Sequence, residues 1–141
     1  MKKVFLFIVL AIGTMAASAQ TASLSQEGAA EIKWDATEID YGTIQLNANG
    51  QREFRFTNVG KAPLVISGCK GTCGCTVPQC PTKPILPGQR EVIKVSYDTK
   101  RLGAFDKGVV VVSNAKVTSE TLKIKGTVVD PAAATTAPAG R

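Results

Sequence analysis

Through much of the chain from Arg52 to Val129, apolar and polar residues alternate with a period of two. In Arg52-Glu53-Phe54-Arg55-Phe56-Thr57-Asn58 the phenylalanines fall on one face, and Glu53, Arg55 and Thr57 fall on the other. Successive side chains of a β-strand point to opposite faces, so this pattern predicts strands with one buried face. Ala62 to Ser67 puts Leu64 and Ile66 on one side. Arg90 to Asp98 sets Ile93, Val95 and Tyr97 against Arg90, Lys94 and Ser96. Thr121 to Val129 alternates Leu122, Ile124 and Val128 with Lys123, Lys125 and Thr127. Val109 to Val112 is an unbroken valine run, short enough for a strand buried on both faces. Ile32 to Asp35 and Glu38 to Ile44 supply two more strands.

Turn-forming residues separate these segments: Asn47-Ala48-Asn49-Gly50, Val59-Gly60-Lys61, Pro87-Gly88 and Ser113-Asn114. Beyond residue 19 no window of helical period reaches a useful length. About seven strands without intervening helices predict an all-β, antiparallel sandwich of immunoglobulin-like type. The cysteines are too clustered for the bridge of antibody domains, which joins strands far apart in sequence.

The first residues carry a different pattern. Lys2 and Lys3 precede an uncharged stretch from Val4 to Ala17, which closes on Ala17-Ser18-Ala19. A positive start, an apolar middle and an A-x-A end predict a signal peptide over residues 1–19, cut before Gln20. The apolar stretch is shorter than the roughly 20 residues of a spanning helix. No cysteine precedes Cys69, so none is available for lipid attachment at the cut. The expected product is periplasmic or secreted, with no stable membrane insertion after cleavage. Residues 20–30 read as a flexible N-terminal segment, 31–129 as the folded domain and 130–141 as a disordered Pro/Ala/Thr tail.

Loss of the leader removes Lys2 and Lys3, leaving 15 basic residues against 11 acids, so net charge falls from +6 to +4. Both methionines, Met1 and Met15, go with it, and the chain has no histidine. That excludes His-dependent triads and His-based metal sites, and the exported part has no thioether to hold copper(I).

The remaining chemistry lies in Cys69-Lys70-Gly71-Thr72-Cys73-Gly74-Cys75-Thr76-Val77-Pro78-Gln79-Cys80, which holds all four cysteines. In an oxidising compartment an even cluster reads first as disulfides, each stabilising by roughly 2–3 kcal/mol. Cys73 and Cys75 lie about 6.6 Å apart in extended chain, near the upper limit for a bridge, although Gly74 can bend the backbone enough to join them. Loop geometry favours Cys69–Cys73 with Cys75–Cys80, while spacing alone leaves connectivity open. Four thiolates holding zinc or copper(I) and a redox-active C-G-C pair are the competing readings. The central C-x-C is a poor match to zinc knuckles, and nearby Lys70 and Lys83 would favour thiolate. Staples rank first.

Other features carry no chemistry. Glu27, Glu31, Asp35, Glu38 and Asp40 read as a solvated acidic face, and no paired-carboxylate site is assigned. Arg52, Arg55, Lys94, Lys123 and Lys125 read as outward strand residues that keep the sheets soluble. Trp34 reads as a core or rim residue.

A set of motifs occurs in order along the chain. Phe54-x-Phe56-x-Asn58-x-Gly60 is followed by Pro63-Leu64-x-Ile66, Cys73-Gly74-Cys75-Thr76 and Pro84-Ile85-x-Pro87-Gly88. Tyr97-Asp98, Gly103-x-Phe105-x-Lys107, Ser113-Asn114 and Leu122-x-Ile124-x-Gly126-x-Val128 come next. From about Tyr41 to Val128 the chain resembles the bacterial exported domain-of-unknown-function family 1573, which is similar to the immunoglobulin-like ASH, MSP and hydin domains. The resemblance implies a sandwich fold and an envelope location, and it brings no catalytic residues. Cys69 and Cys80 are additions to the usual C-G-C pattern.

The expectation is therefore an exported, non-catalytic structural or protein-binding module with a disulfide-stapled loop. It has no cofactor, and its partner is an envelope protein or an anionic envelope polymer. Nucleic acid is not expected for an exported chain with few exposed aromatics. The alternative is a thiol-disulfide redox or metal-binding protein centred on Cys73 and Cys75.

Overall fold

The computed structural model describes residues 28–133, so the leader at 1–19, residues 20–27 and the tail from 134 lie outside the described residues. Eight strands follow in order: β1 (Ile32–Trp34), β2 (Glu38–Gln45), β3 (Gln51–Asn58), β4 (Ile66–Gly71), β5 (Thr76–Gln79), β6 (Arg90–Tyr97), β7 (Gly103–Ser113) and β8 (Ser119–Val129). They form two four-stranded sheets, one ordered β1-β3-β6-β5 and the other β2-β8-β7-β4. The fold is the all-β, immunoglobulin-like sandwich that the alternation predicts. Every pairing is antiparallel except β2 with β8, which is parallel. Among the described residues no helix is long and apolar enough to cross a membrane.

The core lies between the inner faces. Phe54 and Phe56 from β3 and Ile93 and Val95 from β6 meet Val109 and Val111 from β7 and Leu122, Ile124 and Val128 from β8. Register keeps them together, with Phe54 opposite Ile93 and Val109 opposite Leu122. Each such buried side chain contributes about 1.5–3 kcal/mol relative to exposure. At one end Tyr97 stacks on Phe105 at 3.8 Å between centroids, and Tyr41 meets the same ring edge-on at 5.3 Å. The Tyr41 hydroxyl donates to the Gly50 carbonyl at 2.8 Å. Burial pushes its pKa up to about 12, partly offset by the Arg52 guanidinium.

Several expectations need correcting. Arg52 is not an outward residue: it shares the parity of Phe54, sits opposite Val95, and its guanidinium lies 4.3 Å over the Tyr41 ring. Ala30, assigned to the flexible segment 20–30, is buried, and its carbonyl accepts from Lys116 N at 3.0 Å. The strand expected over Ala62–Ser67 is split: Leu64 makes an isolated bridge to Ile85, and β4 starts at Ile66 and runs through Cys69.

The segment from β3 to β4 passes between sheets around Asn58, which is fully buried. Its amide nitrogen donates to Ala62 O and Ile85 O, both at 2.9 Å. Its Oδ1 accepts from Gly60 N at 3.0 Å and Glu31 N at 3.4 Å. A side chain at Gly60 would collide with the backbone of Ala29 and Ala30, so only glycine fits. The Asn58-x-Gly60 motif is thus a structural corner.

Candidate functional site at the cysteine turn

β4 and β5 are edge strands of different sheets and lie on the same side of the sandwich. Cys69 pairs in register with Val111, a core residue, so it faces inward; on β5, Thr76 and Pro78 share the inner face with Tyr97 and Val95, and Cys80 continues that parity. The chain reverses between them in a turn in which Thr76 N donates to Cys73 O at 3.2 Å. The reversal brings Cys69 opposite Cys80, with Cα atoms 6.3 Å apart, and folds Cys73 onto Cys75 at 5.2 Å. The disulfides are therefore Cys69–Cys80 and Cys73–Cys75, not the expected Cys69–Cys73 and Cys75–Cys80. Loop length misled because Cys69 lies on a strand, and the turn shortens the span of an extended C-x-C.

The two bridges differ in kind. Cys69–Cys80 joins the sheets across their shared edge. Cys73–Cys75 closes a three-residue ring within the turn that links them. All four sulfurs the metal reading requires are bonded in pairs, and among the described residues no group of Cys, Asp and Glu is placed to hold an ion.

Backbone contacts hold the turn on every side. Thr72 N donates to Gly108 O at 2.9 Å, and Gly108 N donates back to Thr72 Oγ1 at 3.1 Å. Asp98 N donates to Cys75 O at 2.9 Å. The chain crosses itself so closely that a Cβ at Gly71 would overlap the Thr76 carbonyl. The Thr76 hydroxyl lies 3.6 Å from Cys73 Sγ and 3.8 Å from Cys75 Sγ. Disulfide sulfurs carry no hydrogen, so the hydroxyl is the donor, its one proton directed into the pair. Thr76 and Cys75 are buried, whereas Cys73 is half-exposed.

Two open concavities flank the turn. A cleft of about 520 Å³ is lined by Cys69, Lys70, Thr72, Cys73, Gly74, Val77 and Pro78 among others, and Cys75 and Cys80 do not reach it. A trough of about 540 Å³ lies on the outer face of β4 and β7, between Gly68, Lys70, Val110 and Val112. Lys70 lines both, and Lys83 lines neither. Sequence reasoning assigned no role to Thr76, although it stands in the Cys73-Gly74-Cys75-Thr76 motif.

The other candidates are dispersed. Glu31 pairs with Lys116 at 2.7 Å, Asp35 with Arg90 at 2.5 Å and Glu38 with Lys125 at 2.5 Å. Those three acids meet separate cations, whereas Asp40 accepts from Gly42 N at 2.7 Å and stands beside Lys125 together with Glu38; Glu27 lies outside the described residues. Trp34 packs on Phe56 at 5.0 Å and donates from Nε1 to Glu120 at 2.6 Å, a rim position.

The family model described as "Protein of unknown function (DUF1573)" matches residues 32–128, from the first strand almost to the end of the last. A solved protein of unknown function from Porphyromonas gingivalis W83 has a similar fold, with TM-score 0.65 and 14% identity. The match covers 77% of this chain, which spans about half (51%) of that protein. The ASH / PapD-like domain 7 of human CEP192 matches with TM-score 0.59 and 8% identity, covering 84% of this chain and 99% of that domain. The CsuC–CsuE chaperone–tip adhesion subunit complex from Acinetobacter baumannii contains a chain matching with TM-score 0.50 and 11% identity, over 70% of this chain and 56% of that one. At these identities the likeness is one of fold. No curated protein matches the chain in sequence.

Proposed function

Because this chain belongs to the DUF1573 family through a match that spans nearly the whole sandwich, we propose that it is an exported, non-catalytic binding module of the bacterial envelope. Its partner is an extended segment of another envelope protein. The observation that carries this reading is the joint placement of β4 and the valine-lined trough. Among the described residues β4 has a strand neighbour on one side only, and Gly68 leaves Val112 exposed beside half-buried Val110 on the adjoining outer face. An added strand gains main-chain hydrogen bonds along such an edge, and alternate side chains reach the flanking surface. The trough suits one β-branched or leucyl side chain, and Lys70 beside it favours an acidic neighbour. β5, the edge strand of the opposite sheet, carries Pro78, which lacks the N–H that strand addition needs. The A-x-A leader and two disulfides support export, since disulfides persist in oxidising compartments.

An anionic polymer is less well served. Arg55 pairs with Glu53, Arg90 with Asp35 and Lys125 with Glu38, so these three strand cations already have partners within the protein.

The test places a photo-crosslinking residue at Val112 or at Arg55, on the outer face of the opposite sheet, in the full chain expressed with its leader. Adducts to an envelope protein are expected at position 112 and not at 55, and intact mass should show loss of residues 1–19. Adducts at 55 alone, or full-length protein retained inside the cell, would overturn the proposal.

A further inference from the structure

We propose that Cys73–Cys75 is a thiol-exchange site that passes its disulfide to a dithiol of a protein partner, with Cys73 as the sulfur that is attacked. This goes beyond the binding reading and does not depend on it. Three observations carry it.

The first is asymmetry of access. Cys73 is half-exposed and lines the 520 Å³ cleft, whereas Cys75 is buried and lies outside the cleft lining. An incoming thiolate in the cleft therefore meets Cys73 and not Cys75; Cys69 lines the same cleft, so access orders the two sulfurs of this bond and ring size separates the two bridges. Lys70 in the same cleft attracts that anion.

The second is the group waiting at the sulfurs. The buried Thr76 hydroxyl lies 3.6 Å from Cys73 Sγ and 3.8 Å from Cys75 Sγ, within reach to hydrogen-bond a leaving thiolate. A hydrogen bond to an anionic sulfur is stronger than one to a neutral disulfide, so Thr76 stabilises the reduced turn more than the oxidised one. Thr76 is a positioning residue.

The third is the contrast with the other bridge. Cys69 lies within β4, held by the ladder to Val111, and Cys80 directly follows β5, which pairs with β6. Once reduced, their thiols stay apposed and re-form the bond. Cys73 and Cys75 lie within one turn around exposed Gly74 and not on two paired strands. Disulfides that close rings this small are the reducible ones.

The exchange balances as follows. A partner thiolate attacks Cys73 Sγ, a partner–S–S–Cys73 bond forms, and the Cys73–Cys75 bond breaks. Cys75 Sγ leaves with the electron pair beside the Thr76 hydroxyl and takes up a proton. A second partner thiolate then attacks the partner sulfur of the mixed disulfide, and Cys73 leaves and is protonated. The partner dithiol loses two electrons and becomes a disulfide, and Cys73 and Cys75 become two thiols.

The experiment equilibrates the folded, exported protein with glutathione buffers, quenches with acid, alkylates, and maps each cysteine by mass spectrometry. Cys73–Cys75 should open while Cys69–Cys80 stays closed, with reduction favoured by ~10-fold or more at a common buffer composition. In Cys75→Ser, glutathione should be trapped on Cys73; in Cys73→Ser, Cys75 should remain largely unmodified. Thr76→Val should move the alkylation pH profile of the reduced pair to higher pH, and Thr76→Ser should restore it. Opening of both bridges together, only as the fold melts, overturns the proposal, as does glutathione on Cys75 in place of Cys73. An unmoved pH profile in a folded Thr76→Val variant removes Thr76 from it. A crosslinking failure at Val112 leaves these outcomes unaffected, so the two proposals fail separately.

Discussion

Every connection from β1 to β5 passes between the two sheets, and the last two of these crossings are held by different means. From β3 to β4 it turns around Asn58, a buried amide whose four hydrogen bonds go to Glu31, Gly60, Ala62 and Ile85. From β4 back to β5 it turns through Cys73-Gly74-Cys75, closed by a disulfide and flanked by a second. Each crossing includes a glycine that accommodates a close backbone approach, Gly60 in one and Gly71 in the other. The difference is in what can be undone. The amide corner has no chemical off-state, because every polar group it buries is paired inside the protein. The cysteine turn has one, and a thiol is enough to reach it.

The largest effect should come from the corner without sulfur. Asn58→Ala removes four hydrogen bonds at about 1 kcal/mol each, which lowers Tm by roughly 16–32 °C in thermal unfolding. Next comes the sheet-to-sheet staple: Cys69→Ser with Cys80→Ser should cost about 2.8 kcal/mol by loop closure in denaturant titration. The turn disulfide encloses a smaller ring, so Cys73→Ser with Cys75→Ser should cost only about 1.6 kcal/mol. If the turn pair costs more than the staple, the division between a structural and an exchangeable bridge is wrong.

A smaller effect tests the aromatic cluster of Tyr41, Phe105 and Tyr97. The folded Tyr41 phenol holds its proton to about pH 12, above the ordinary value of 10.0. Its contribution is full below pH 10 and is lost as pH rises through about 12, because the unfolded phenol ionises first. Tyr41→Phe should remove that part of the alkaline fall in Tm, leaving the part due to Tyr97, whose pKa is raised by burial as well. The smallest effect belongs to the trough, where Val112→Glu should change stability by less than ~0.5 kcal/mol while abolishing partner crosslinks.

The alternation in β3, β6 and β8 was legible because Phe54, Phe56, Ile93, Val95, Leu122 and Ile124 each obey the two-residue period and all face one core. β5 was not, since Thr76-Val77-Pro78-Gln79 is four residues long, contains a proline, and is a strand only because β6 pairs with it. β7 reaches back to Gly103 beyond its valine run, held by β8 across positions where Gly103 and Gly108 carry no side-chain signal. The cysteine pairing was hidden for a related reason. Spacing counts residues along the chain, whereas the bridges follow the position of the reversal and the sheet to which each flank belongs. Arg52 shows the limit of parity at a strand end, where an inward-facing position can hold a cation over an aromatic ring.

The parallel pairing of β2 with β8 sets the order in which the molecule can be completed. Glu38 lies beside Lys123, 85 positions further along the chain, and β8 is the only strand that β2 touches in its sheet. Contacts of such long range form slowly, because the loop must close before they contribute. A chain released from its N-terminus delivers β2 long before that neighbour arrives. Until then β2 has an unpaired edge, and a truncation ahead of β8 leaves it with no strand to join. Closure of this sheet is therefore a single late event that waits for the last strand.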